Sequence, residues 1–206
     1  MHVALMGDGR AIYAGQVERL KRAGLWDVAD TIRVCTVGPG DLSIARGSTL
    51  EFHDENLGLY EFPTLEAIRQ FSILNPGYFV LYLHTKGASW PGAPGRAAWR
   101  SAMEDVLVDR WGQCVRTMHK YRHRTLGVMK IRASLGTHYS GNFWWARSNY
   151  LAKLRPLKLD GTHPRLYAER WVCSDPGPHR CMRSEKRIAS DYAVMDRERG
   201  HSQMRA

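Results

Sequence analysis

Tyr78-Phe79-Val80-Leu81-Tyr82-Leu83-His84-Thr85-Lys86-Gly87 is the stretch that decides the fold. Its first six residues are an unbroken apolar run, bounded upstream by Asn75-Pro76-Gly77. A run this short, rich in aromatic and branched side chains, predicts a strand buried on both faces of a helix-covered sheet. It stops at an imidazole, a hydroxyl, an ammonium group and a glycine. Ligands on such sheets bind beyond the carboxyl ends of the strands. His84, Thr85, Lys86 and Gly87 are therefore expected on a ligand-facing loop. There Lys86 offers a fixed charge, His84 a proton-transfer or metal-binding group, and Gly87 close backbone approach. The alternative is a strand-end turn whose polar side chains are merely solvated.

Outward from this strand, the pattern alternates. Val3 to Met6 reads as a first buried strand, broken by Gly7-Asp8-Gly9. Ala11 to Leu25 places Ile12, Leu20 and Ala23 near one face, as an amphipathic helix does, with Gly24 near its end. Thr31 to Val37 is a β-branched strand stopped by Gly38-Pro39-Gly40, and Thr49 to Phe52 a further short strand. Pro63 and Thr64 open a helix through Leu74, since proline suits a first turn. Downstream, Ser89 to Gly95 reads as a loop and Arg96 to Lys120 as the longest helix. Thr125 to Ile131 reads as a strand, and Asn149 to Leu154 and Arg165 to Val172 as short helices. Strands alternating with helices predict a single α/β domain, its mostly parallel sheet flanked by helices. The expected boundary is residue 175, with a basic tail or helix over 176–206.

The 206 residues carry a formal charge of +10, which favours anionic partners: phosphate-bearing small molecules, nucleic acid or acidic membrane. Apolar content of 44% is enough for a core. The four cysteines (Cys35, Cys114, Cys173 and Cys181) show no repeating framework, which argues against a secreted disulfide scaffold. No apolar run reaches the roughly 20 residues of a membrane span, and the first residues lack the pattern of a signal peptide. A cytoplasmic location is the expectation.

The second informative stretch is His138-Tyr139-Ser140-Gly141-Asn142-Phe143-Trp144-Trp145. Amide hydrogen bonds to hydroxyls, with aromatic faces against C–H surfaces, are how sugars are held, so this mixture suits a carbohydrate pocket. An aromatic core cluster beneath a turn is the competing reading.

Tyr82-Leu83-His84-Thr85-Lys86-Gly87 followed by His138-Tyr139-Ser140-Gly141-Asn142-Phe143-Trp144-Trp145-Ala146-Arg147 resembles a family of small GT-A glycosyltransferase domains. That family includes chlorella-virus enzymes that build capsid glycans and bacterial and phage relatives. Glu61-Phe62-Pro63-Thr64-Leu65, Trp99-Arg100 and Glu169-Arg170-Trp171-Val172 fall in the same order. The resemblance covers roughly Gly58 to Val172. It implies a Rossmann-like GT-A fold and a nucleotide-sugar donor bound by His84, Thr85, Lys86 and Gly87. His138, Asn142, Trp144 and Trp145 would then contact the sugar or a glycan or glycoprotein acceptor. Many GT-A enzymes bind the diphosphate through a metal held by Asp-X-Asp, and His84-Thr85-Lys86 stands where that element is expected. Either Lys86 replaces the metal, or His84 joins an acid from elsewhere to hold Mn or Mg. An inverting transfer needs a carboxylate base. The resemblance points to Glu169, with Asp160 in reserve; a helix-surface Glu169 paired with Arg165 or Arg170 is the plain alternative.

Other readings compete. Modified DNA as acceptor, or a non-catalytic nucleic-acid-binding module, would use Lys120-Tyr121-Arg122-His123-Arg124 and the basic tail to track phosphates. No helix-turn-helix, zinc-finger or RNA-recognition signature accompanies them. Cys173, His179 and Cys181, or His119 and His123, lack the paired spacing of a strong zinc site.

Overall fold

The computed structural model describes residues 1–133, 136–157, 164–175 and 178–182. It is a mixed α/β structure. Three parallel strands, β1 (His2–Ala4), β2 (Arg33–Val37) and β3 (Thr49–Asp54), lie in the order β1-β2-β3. Between them run helices α1 (Gly9–Arg22) and α2 (Leu25–Val28), separated at Gly24, whose φ of 67° lies in the left-handed region. Helix α3 (Phe62–Leu74), with proline in its first turn, returns the chain to β4 (Phe79–Tyr82).

The parallel pattern expected for most of the sheet stops here. Beyond α4 (Pro94–Leu107) and α5 (Trp111–Tyr121), the chain forms β5 (Thr125–Val128) and a hairpin of β6 (Lys130–Ala133) and β7 (Gly136–Tyr139). It continues through β8 (Trp144–Arg147), α6 (Ser148–Leu151), α7 (Pro164–Trp171) and β9 (His179–Met182). The second sheet has the order β4-β8-β5-β9, with β8 antiparallel to both neighbours and β9 parallel to β5. A parallel bridge between His2 and His84 joins the two sheets, with His2 donating to the Leu83 carbonyl (2.9 Å) and Thr85 N–H to that of His2 (3.1 Å). Read across, the order is β3-β2-β1-β4-β8-β5-β9.

Three expected elements divide or shift. The helix expected over Arg96 to Lys120 breaks between Leu107 and Trp111. Val106, Leu107 and Val108 are all buried, yet three successive residues span about 200° of a helix circumference. A straight surface helix would expose one of them, so the chain turns into the core instead. The strand expected from Thr125 to Ile131 divides at Met129, whose φ is 46°. Strand β9 places residues 179–182 in the sheet, beyond the boundary expected at 175. The remaining basic tail lies outside the described residues.

Candidate functional site

The loop after β4 is fastened before any ligand arrives. Thr85 Oγ1 accepts from Ala4 N–H at 2.9 Å, which fills the seam between β1 and β4 and buries the hydroxyl. Gln16 on α1 donates to the His84 carbonyl (3.1 Å) and to buried Glu104 (2.9 Å). Expected as a donor contact, Thr85 is a suture inside the sheet.

The second segment meets this loop through a left-handed turn. Gly141 (φ 84°) and Asn142 (φ 56°) both adopt a conformation that glycine and asparagine tolerate best. A Cβ on Gly141 would lie 2.5 Å from Met103 Sδ and 2.8 Å from Trp99 Nε1, so only glycine fits without repacking. The turn aims the Gly141 carbonyl at His84, whose Nε2 lies 2.9 Å away. A carbonyl only accepts, so Nε2 carries the proton and Nδ1 presents its lone pair. Burial, then the nearby Lys86 charge, push the His84 pKa down to about 3, and the imidazole is neutral. Its ring stacks on Tyr82 and meets the edge of Phe143.

Glu61, at the start of α3, is the hub of this cluster. Its Oε2 accepts from Tyr82 OH (2.8 Å) and from the Asn142 amide, while Oε1 lies 3.7 Å from His84 Nδ1. Because His84 is neutral, that last pair is two acceptors rather than a salt bridge. A hydroxyl or other donor between them would satisfy both. Asn142 is 1% exposed and fully engaged, its Oδ1 accepting from Trp144 Nε1 at 3.0 Å. It positions Glu61 and does not face a sugar.

Trp144 and Trp145 correct the stacking expectation. They are adjacent on β8, so their side chains leave opposite faces of the sheet. Trp144 is 0% exposed and packs with Tyr82, Tyr150 and Trp171; Trp145 is 4% exposed and donates to the Leu107 carbonyl at 2.9 Å. Neither ring offers an open face. Gly127 also packs tightly, directly against the ring of Tyr139.

The family model for a domain of unknown function, DUF8361, matches residues 41–163, more than half of the chain. The chain belongs to this family. No curated protein and no solved structure matches it. The matched span of the DUF8361 domain contains Glu61, the loop His84–Gly87 and the segment His138–Trp145, the three parts that meet here. Glu169, on α7, lies past its end.

Beyond the matched span, Glu169 nonetheless comes close enough for its charge to act on the same cluster. Its carboxylate is mostly buried, 3.6 Å from Arg165 Nε, and its charge is felt by both His84 and His138. The Arg165 contact weighed from the sequence is thus present, but it is long, and the carboxylate stays on the His84 side. His138, half-buried on β7, has its pKa lowered chiefly by burial. Asp160 lies outside the described residues. Lys86 and Gly87 follow the buried Thr85, and Arg100 Nη1 donates to the Lys86 carbonyl at 2.6 Å.

The fit to Mn or Mg is incomplete. His84 Nδ1 and Glu61 Oε1 supply two donors, and no group of three or more His, Cys, Asp or Glu side chains among the described residues is placed to hold a metal ion. Divalent Mg calls for a fuller oxygen shell than this. Nor do Cys173, His179 and Cys181 gather as one: His179 Nδ1 is 2.7 Å from Thr125 Oγ1. Among the described residues no helix is long and apolar enough to cross a membrane.

Sequence reasoning missed the role of Glu61, which stood only as a marker of motif order. The signal was its place before Phe62-Pro63, where a helix N-terminus turns a carboxylate toward neighbouring strand ends.

Proposed function

We propose that this DUF8361 domain is a glycosyltransferase of GT-A type, moving a sugar from a nucleotide-sugar donor to a hydroxyl of a glycan or glycoprotein. One observation carries the reading: the His84–Gly141 hydrogen bond draws two segments more than fifty residues apart onto one sheet edge, between the carboxylates of Glu61 and Glu169. That edge follows the carboxyl end of β4, and ligands of α/β sheets bind beyond such strand ends.

The two carboxylates differ in freedom. Glu61 is tied by Tyr82 and Asn142, which suits an orienting role and an acceptor of a ligand hydroxyl beside His84 Nδ1. Among the described residues, Glu169 has as its ion pair a long contact to Arg165, which suits a base. In the inverting step, the acceptor oxygen bonds to the anomeric carbon while its proton passes to Glu169. The bond from that carbon to the diphosphate oxygen breaks, and the nucleoside diphosphate leaves with the electron pair.

The test is a panel of UDP-, GDP- and dTDP-linked sugars, read by thermal stabilisation, donor hydrolysis and product mass. A ligand selective for the native state raises the unfolding temperature. Glu169→Gln is expected to keep donor binding and lose turnover by about 10²–10⁴-fold. Unchanged turnover would remove Glu169 from the mechanism. Stabilisation by DNA alone, with no response to any nucleotide sugar, would sink the reading in favour of a nucleic-acid-binding module.

A further inference from the structure

We infer that the turn Lys86-Gly87, together with Arg100, Arg96 and Arg165, forms an anion subsite that binds the donor's diphosphate without a metal ion, an inference that rests on the glycosyl-transfer reading.

The subsite is built from three directions. Lys86 and Gly87 come from the end of β4. Arg100, in the second turn of α4, reaches back so that Nη1 lies 2.6 Å from the Lys86 carbonyl. That bond uses one of the five N–H donors of a guanidinium and fixes its plane against the turn. Arg96, one turn earlier, flanks the same glycine and lays its guanidinium over Trp90 at 5.0 Å. Arg165 approaches from α7, and its charge, like that of Lys86, acts on His84.

Gly87 is the element that makes this a cradle. At φ 94° its backbone turns where L side chains rarely go, and a Cβ there would stand 3.4 Å from Arg96 Cβ and 3.5 Å from Arg100 Nη1. Those are ordinary contact distances, so the positive φ is what reserves the position for glycine, and the guanidinium of Arg100 already lies against the peptide. Planar guanidinium forks beside this half-buried turn match the oxygens of a phosphate.

A divalent metal ion fits the same place poorly. It would lie among like charges, and among the described residues no group of three or more His, Cys, Asp or Glu side chains is placed to hold it. The cations can take the charge that develops on the leaving diphosphate as the sugar bond breaks. Trp90, 58% exposed and stacked on Arg96, borders the subsite on its solvent side.

Calorimetric titration of the full chain with inorganic pyrophosphate, UDP, GDP and dTDP, each in EDTA and in Mn, tests this. The expected result is that at least one nucleoside diphosphate binds in EDTA with an affinity that Mn changes little. Lys86→Gln and Arg100→Gln should each weaken it roughly tenfold or more, as loss of a charged hydrogen bond does. Should Arg100→Gln fail to fold, Lys86→Gln carries the test, because the carbonyl held by Arg100 belongs to the backbone. Binding that needs Mn and ignores both substitutions overturns the metal-free subsite and leaves the transferase reading standing. If no phosphorylated ligand binds under either condition, both fall.

Discussion

The two ends of the central sheet are built on opposite principles. Beyond the carboxyl end of β4, polar groups crowd together: Glu61 accepts from Tyr82 and Asn142, its other oxygen faces His84, and the charge of Glu169 acts from α7. At the amino end lies a cavity of about 570 Å³, lined by Leu25, Trp26, Ile68, Phe71, Leu81 and Trp145 among others. It opens where β1 meets the chain just past β4, at the His2–His84 bridge, and among the described residues β4 itself pairs with β8 alone. The carboxyl end gathers buried donors and acceptors; the amino end holds the cavity, with Asp30, Arg33, Cys35 and Glu51 among its walls. Cavity size and the convergence of buried donors and acceptors thus single out different ends of the sheet.

The contrast can be broken or sharpened by substitution. The largest effect is expected from Trp144→Ala, which empties the packed layer behind the polar end. A loss of about 3–5 kcal/mol in unfolding free energy is expected from denaturant titration, the usual cost of deleting a buried tryptophan. Next comes Glu61→Ala, which strands Tyr82 and Asn142 inside the protein. Each orphaned buried group costs about 1–3 kcal/mol, and Glu61→Gln, which keeps an acceptor oxygen, should recover part of the loss. Equal stability of the two variants would mean that Glu61 is no hub.

Acidification probes the same end. His84 and His2 both have pKa values pushed down to about 3 by burial, from 6.5. Below 6.5 the unfolded chain takes up protons that the folded chain refuses, so stability is full above that pH and drains away as pH falls toward 3. The slope approaches about 1.4 kcal/mol per pH unit for each histidine. Denaturant midpoints from pH 7 to 4 check it, and His2→Asn should flatten the decline.

The smallest effect is expected at the amino end. Ala67→Leu, on the cavity wall, should change stability by less than about 1 kcal/mol, whereas Ala146→Leu, in the filled core, should cost about 1–3 kcal/mol. A large penalty at Ala67 would show that the cavity is already shut.

How far the sequence spoke depended on the kind of signal. The short apolar run of β4, the proline-led α3 and the glycine stop after β2 are local, and they were legible. Phe79, Val80 and Leu81 are only half-buried, because the cavity beside them is a tertiary gap that no run of letters records. The α4–α5 break carries no glycine or proline; packing of Val106 to Val108 makes it. In the site, His84 and the Gly141–Asn142 turn stood out by composition. The roles within it did not: the hydroxyl of Thr85 and the amide of Asn142 turn inward because the neighbouring strand and Glu61 offer partners there. Two tryptophans in succession signalled aromatic weight, while strand alternation decided that neither would meet solvent.

That alternation leaves the protein with built-in optics. Trp144, hydrogen-bonded to the Asn142 side chain, sits behind the polar end, and Trp145 borders the hollow at the other. Single Phe replacements would separate their emission, so occupancy at one end and filling at the other become two distinguishable colours of the same spectrum, recorded without any attached dye.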